Sequence, residues 1–395
     1  MSAPAPRGRG GPGERPGSSW AVIAGGGTAG HVLPGISIAE QIVAGGAPRE
    51  AVHFVGSARG VETRLVTEAG FGLTALPGRG LQRRLALSNA TATIGLLRAF
   101  AEALVVLRRR RPAVVLGLGG YASAACGAAA ALLRVPLVIT EQNAVPGLAN
   151  RLLSRFAAGA ATAFEATDLP RATWTGNPVR TEVLAADRTS GRAAARAALG
   201  VGSGRRLVAV FGGSLGSRSI NEAVAAASEI WHDRGDLHIR HIAGRRDYDD
   251  LAGRAAPDRE RALGYDLVAY EDDMATVYAA ADIVVSRSGA TTVAELAAAG
   301  VPAVLVPLPG APGDHQTANA RRLAEAGGAV IVSDAELDGT RLAAEVDALL
   351  DDPDRLSAMA GAATALARPD AARAVVDLIE RCALRPQPRE QEAAP

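Results

Sequence analysis

Short runs of β-branched and small apolar residues end in glycine-rich turns and lead straight into alanine-rich helical patterns. That grammar restricts the fold of this chain more than anything else in it. The runs at 20–24, 207–211 and 283–285 are followed by Gly25-Gly-Gly-Thr-Ala-Gly-His31, Gly212-Gly-Ser-Leu-Gly-Ser217 and Ser286-Arg-Ser-Gly289. A strand with no polar face is buried on both sides, so helices must cover both faces of a parallel sheet. Further strands are expected at 52–55, 73–76, 113–116, 137–140, 160–163, 238–243, 267–270, 303–306 and 330–332, alternating with helical patterns. The alternation pauses at Thr175-Gly-Asn-Pro-Val-Arg180, where Pro178 biases Asn177 away from helix, and restarts at 207. The expected fold is α/β, with two Rossmann-like domains facing a cleft, at 20–178 and 179–368. A last helix at 369–384 returns to the first domain. The ends, 1–19 and 385–395, read as disordered tails.

Charge divides the chain the same way. All 42 basic residues are Arg. Residues 1–180 hold 19 Arg and 9 acids, a net of +10, and residues 181–395 hold 23 Arg and 32 acids, a net of −9. A basic half beside an acidic half suggests different partners for each. Two distant cysteines, Cys126 and Cys382, exclude a disulfide framework or a cysteine-built metal site. No signal peptide is visible at the N-terminus. The uncharged run 112–133 is long enough to span a bilayer. Gly117, Gly119 and Gly120 break it and the rest is mostly alanine, so it reads as strand, loop and helix.

The segment 281–300 carries the clearest chemistry. A strand feeding directly into a helix leaves first-turn N–H groups free, and with the helix dipole they form an anion site. Thr291 and Thr292 add hydroxyls there, and Glu295 lies one turn on, within reach of a ribose diol. The alternative is an ordinary strand–turn–helix with Glu295 a solvated acid. Gly25, Gly27 and Gly30 fit the G-x-G-x-x-G dinucleotide pattern, but the next strand ends in Gly56-Ser57 without an acid, which counts against NAD. His31 stands at the start of that first helix. Ligands bind at the C-terminal ends of parallel strands, where all these turns lie.

The motifs GGGTAGH (25–31), LGLGGYAS (116–123), EQNAVPG (141–147), TGNPVR (175–180), GGSLGSR (212–218), SRSGATTVAE (286–295) and DHQTANA (314–320) together resemble the MurG family. The resemblance runs from about Trp20 to Leu384 and departs from the family's usual glycine at Ala29 and Ala144. It implies a GT-B glycosyltransferase that moves N-acetylglucosamine from UDP-N-acetylglucosamine to undecaprenyl-diphosphate muramyl pentapeptide in peptidoglycan synthesis. In the donor site it implies Tyr270 and Glu271 at uracil and Glu295 at ribose. Ser214 and the helix start Ala290, Thr291 and Thr292 take the diphosphate, Val293 and Ala294 belong to the same donor site, and His315, Gln316 and Asn319 take the sugar. Thr28, Ala29, Gly30, Asn143 and Arg180 complete the site from the first domain.

For the acceptor diphosphate the expected cradle is Gly117 to Tyr121, with Gly119, Gly120 and Tyr121 at its centre. Arg79, Arg83 and Arg84 interleaved with Leu81 and Leu85 suit the cytoplasmic face of an anionic membrane, or else form a solvated loop with ordinary core leucines. The expected reaction is a single displacement with inversion. His31 is the candidate base, Glu141 the reserve, and diphosphate binding is His31's other reading. No metal or cofactor is expected. Asp272 or Asp273 reads as the N-cap of a helix at 274–280 rather than part of a metal site. The other histidines read as structural, and no nucleic-acid motif is present. Proteins of the cell-wall machinery are possible partners. A transferase with another acceptor, a UDP-sugar epimerase and a silent sugar-nucleotide binding subunit are the rivals.

Overall fold

The computed structural model describes residues 19–58, 60–77, 88–213, 216–254 and 262–383, with backbone alone for 88–94 and 254. Both expected tails apart from Ser19, the membrane-contact candidates Arg79, Leu81, Arg83, Arg84 and Leu85, and the donor candidate Ser214 lie outside the described residues.

The first half contains β1 (Ala21–Ala24), α1 (Ala29–Ala44), β2 (Val52–Ser57), α2 (Glu62–Glu68), β3 (Gly72–Leu76), α3 (Ser88–Arg110), β4 (Val114–Gly117), α4 (Gly120–Leu133), β5 (Leu137–Glu141), α5 (Leu148–Leu153), β6 (Gly159–Thr162) and β7 (Ala172–Trp174). Two short helices, α6 (Thr181–Leu184) and α7 (Arg192–Ala198), follow the Thr175–Arg180 connection. The second half contains β8 (Arg206–Phe211), α8 (Arg218–Ile230), β9 (Leu237–Ile242), α9 (Tyr248–Arg254), β10 (Gly264–Val268), α10 (Met274–Ala280), β11 (Ile283–Ser286), α11 (Ala290–Ala299), β12 (Ala303–Leu305), α12 (His315–Glu325), β13 (Ala329–Ile331), α13 (Gly339–Leu350) and α14 (Pro353–Ala365). The final helix is α15 (Ala371–Ala383).

Every strand pairing is parallel, in two sheets ordered β3-β2-β1-β4-β5-β6-β7 and β10-β9-β8-β11-β12-β13. These are two Rossmann-like sheets. Register then places the loops. Ala24, the last residue of β1, is opposite Val55 of β2 and Gly117 of β4. The loops after β1 and β4 therefore leave the sheet side by side, where the strand order reverses. In the second sheet Phe211 of β8 is opposite Ile242 of β9 and Ser286 of β11, which sets the second glycine turn beside the start of α11.

Helix α15 carries Val375, Leu378, Ile379 and Cys382 at helical spacing, and they join Ile23, Val114 and Leu116 in the core of the first half. The sequence reading missed β7. It is a three-residue edge strand with two residues exposed, so no apolar run announces it. The uncharged run is β4 followed by α4, and among the described residues no helix is long and apolar enough to cross a membrane. His53 bonds Thr74, and His241 sits between Tyr265 and Asn221. Burial pushes both imidazoles down to about 4.

Candidate functional site

The first glycine loop takes its shape from a buried acid. Glu62, at the start of α2, accepts a hydrogen bond from Gly27 N at 2.9 Å and from Ser57 N at 2.6 Å. A Cβ at Gly26 or Gly60 would collide with its carboxylate and one at Gly56 with its Cγ, so three glycines make room for the side chain. No acid ends β2, and the next one in the chain, Glu62, is spent on holding the loop itself. The loop leads into α1, whose cap residue Thr28 has no side-chain capping bond; its hydroxyl lies 3.2 Å from His31 Nδ1 instead. Ala29 and Ala144, where the family often has glycine, both have negative φ, so their methyl groups bring no backbone strain.

The cradle after β4 abuts this loop. Gly119 (φ 97°) and Gly120 (φ 79°) open α4, which also lacks a side-chain cap. A Cβ on Gly120 would lie 3.0 Å from Gly26 O, and one on Gly119 would lie 3.4 Å from His31 Nε2. His31 therefore stands at the joint of two helix N-termini. Enclosure by these loops lowers its pKa below the ordinary 6.5; Glu141 and Glu62 pull the other way, and His315 adds to the lowering. The Tyr121 hydroxyl lies 2.7 Å from both Pro77 O and Gly95 O, and its single proton is taken up by that carbonyl pair, so its backbone N–H is what it offers the cradle.

Glu141 is not free to act as a reserve base. It is buried and accepts from Asn143 N (3.0 Å), Asn143 Nδ2 (3.2 Å), Gly147 N (3.0 Å) and Asn150 Nδ2 (2.9 Å). It folds the 141–147 loop as Glu62 folds the 25–31 loop.

Across the cleft, α11 begins at Gly289 with no side-chain cap, whereas Asp273, Asp338 and Asp352 cap α10, α13 and α14. Asp273 is thus the helix cap, as the sequence suggests. Thr291 Oγ1 donates to Gly30 O at 3.2 Å. That carbonyl is available because Pro34, four residues on inside α1, has no N–H to give it. Glu295 is buried and not solvated. Its Oε1 accepts from Arg180 Nε (3.0 Å) and Nη2 (2.9 Å), and its Oε2 from Tyr278 (2.9 Å). Burial raises the Glu295 carboxyl, against the pull of Arg180 and Tyr278. Tyr278 is invisible to motif reading, because in the seven-residue helix α10 it reads as ordinary core.

The remaining candidates are placed as follows. The Tyr270 ring lies between the guanidiniums of Arg245 (5.0 Å) and Arg64 (5.8 Å), the latter from the first half. Glu271 is paired with Arg240 at 2.8 Å. Gln316 Oε1 accepts from Leu308 N at 3.0 Å, and His315 Nδ1 donates to Pro312 O at 2.7 Å. Asn319 is fully buried: its Oδ1 accepts from Ala144 N (2.9 Å), and its Nδ2 donates to Asn143 Oδ1 (3.2 Å) and Ser288 O (3.2 Å). In this arrangement Asn319 and Asn143 fasten the two halves together and Asn319 is not exposed to a sugar. Val293 and Ala294 turn their side chains away from the cleft, into a cavity behind α11.

Residues 21–162 match the glycosyltransferase family 28 N-terminal domain, and residues 207–375 match the family 28 C-terminal domain. Two relatives, from Desulforudis audaxviator and Alkalilimnicola ehrlichii, carry the name UDP-N-acetylglucosamine–N-acetylmuramyl-(pentapeptide) pyrophosphoryl-undecaprenol N-acetylglucosamine transferase. The first is 41% identical over 92% of this chain and 98% of its own length, the second 44% identical over 90% and 96%. The crystal structure of Acinetobacter baumannii MurG superposes with a TM-score of 0.72 at 31% identity, over 92% of this chain and 99% of that one. A Neisseria meningitidis UDP-GlcNAc 2-epimerase superposes at 0.64 over 91% and 99%, but at 14% identity it shares the fold alone.

Removing one member of the Arg180–Glu295 pair tests how tightly this side of the cleft is held. Arg180→Ala leaves a buried carboxylate with Tyr278 alone, and should destabilise the protein by about 3–5 kcal/mol in urea unfolding. A loss under about 1 kcal/mol would mean that solvent relaxes the site.

Proposed function

The chain belongs to glycosyltransferase family 28, and on that premise we propose that it transfers N-acetylglucosamine from UDP-N-acetylglucosamine to the C4 hydroxyl of the muramyl sugar of undecaprenyl-diphospho-muramyl pentapeptide. The observation that carries this reading is the meeting of three helix N-termini without side-chain caps, those of α1, α4 and α11, around residues 26–31. A reaction with a diphosphate on each substrate needs two anion sites in one cleft, and N-termini supply them.

In this reading the donor diphosphate sits on Ala290–Thr292, where N–H groups and threonine hydroxyls take the charge that develops as UDP leaves. The ribose reaches Glu295 by taking over one of the bonds now made by Arg180 or Tyr278. Tyr270 and Glu271 border the uracil, and Gln316 and His315 the sugar. The acceptor diphosphate sits at Gly119–Tyr121. The C4 oxygen attacks the anomeric carbon, the bond to the diphosphate breaks on the opposite face, and His31 takes the hydroxyl proton. A depressed pKa keeps that imidazole neutral and able to accept.

The direct test is transfer of radiolabel from UDP-N-acetylglucosamine to a short-chain lipid-diphosphate muramyl peptide. Labelled lipid with release of UDP supports the reading; donor binding without product would mean another acceptor. His31→Gln should cut kcat by about 10²–10⁴ while UDP-N-acetylglucosamine binding holds. The wild-type acid limb of kcat/KM should fall below pH 6.5, because activity is lost as the imidazole protonates, and should be absent from the variant. Equal loss of turnover and binding would sink the assignment.

We also propose a peripheral seat on the cytoplasmic face of the membrane. Leu148 (74% exposed), Leu152 (53%) and Phe156 (68%) project from α5 and its end, beside the exposed Arg151 and Arg155. Apolar side chains to insert and guanidiniums for anionic headgroups suit a lipid surface. Leu152→Glu with Phe156→Glu should abolish pelleting with phosphatidylglycerol vesicles. Pelleting equal to wild type would place the membrane contact elsewhere.

A further inference from the structure

Proline inside a helix costs a backbone bond, and Pro34 sits well inside α1. The first four N–H groups of a helix have no carbonyl to meet, so a proline at 29–32 would lose nothing. Position 34 lies beyond them, and an N–H there would donate to Gly30 O, one turn back. The ring supplies none. The carbonyl so released is met from the other half of the molecule, where Thr291 Oγ1 donates to it at 3.2 Å. A Cβ on Gly30 would lie 3.8 Å from Thr291 Oγ1 and 3.8 Å from Thr28 Oγ1, so both hydroxyls stand beside this one residue. Thr291 is 9% exposed, which shields its bond from competing water.

Thr291 also stands in the first turn of α11, at the seat given above to the donor diphosphate. A threonine hydroxyl carries one proton. In the structure that proton goes to Gly30 O, so a diphosphate oxygen arriving at the helix start must compete with the carbonyl for it. Another contact between the halves takes no part in the contest. Asn319, fully buried, bonds Ala144 N and Asn143 Oδ1. The halves therefore stay joined while Thr291 changes partner.

We propose that Pro34 is a positioning residue for UDP release: by withholding an N–H it makes Gly30 O a rival of the diphosphate for the Thr291 proton. The proposal rests on the donor diphosphate sitting at Ala290–Thr292. As UDP departs, Gly30 O takes the hydroxyl back, and the bond regained there offsets the bond lost to phosphate. Product leaves more readily than it would from a helix start with no second acceptor.

UDP binding to the full chain, measured by calorimetric titration in a double-mutant cycle, tests it. Pro34→Ala and Pro34→Val both restore the N–H, and valine keeps most of the ring's volume. Each should bind UDP about two- to tenfold more tightly than wild type, the range for one neutral hydrogen bond no longer opposed. The Tm should hold or rise, because α1 gains a bond. Thr291→Val should weaken UDP binding, and in that background neither Pro34 substitution should change it, since no proton remains to compete for. A merely packed proline would give a lower Tm and the same effect on UDP with and without the Thr291 hydroxyl. That result would overturn the proposal, as would unchanged or weaker UDP binding in both Pro34 variants; in either case the donor site stands. Wild-type affinity in Thr291→Val, or no UDP binding by the wild type, would instead remove the diphosphate from Thr291 and the proposal with it.

Discussion

A glycine loop has no side chains to pack, so it keeps one shape only when something fixes its backbone. Here buried carboxylates do so. Glu62 takes the N–H groups of Gly27 and Ser57, and Glu141 takes those of Asn143 and Gly147. Charge-assisted bonds of this kind are strong in a desolvated setting, and the glycines around Glu62 exist to admit it. The free N–H groups at the starts of α1 and α4 depend on that scaffolding for their aim.

The two halves meet through the same elements. Thr291 bonds a carbonyl that Pro34 leaves without its helical donor, Asn319 bonds the 143–144 backbone and amide, and Arg180 reaches Glu295. Each of these contacts uses a residue beside the proposed donor site. A UDP-sugar entering there exchanges bonds with groups that also hold the halves together, so binding and the relative position of the halves are coupled by construction.

Much of this was legible in the chain. Continuous apolar runs ending in glycine announced parallel strands and their loops, and β1, β8 and β11 fall where those runs lie. His31, Thr291 and Glu295 were singled out by their place at helix starts. Partnership was harder to read. Glu295 as a ribose acceptor or a solvated acid gave no sign of Arg180 and Tyr278, which are distant in sequence and meet it only after folding. Glu141 resembles a spare base because three of its four donors come from a loop whose shape it creates and the fourth, Asn150, from α5 just beyond it. Glu62 drew no notice, being an acid in an amphipathic helix. The edge strand β7 lacked an apolar signal altogether.

Glu62, Glu141 and Glu295 are committed to backbone, asparagine, arginine or tyrosine partners, and His31 is a titratable group placed at the joint of the anion sites. The account therefore requires a single displacement with no covalent glycosyl-enzyme intermediate. The most direct measurement is proton NMR of the anomeric centre in the disaccharide formed from UDP-α-N-acetylglucosamine. A β-linked product, seen as a large trans-diaxial coupling, is what the account predicts. An α-linked product would mean retention, by a covalent intermediate or by attack on the same face, and would contradict it.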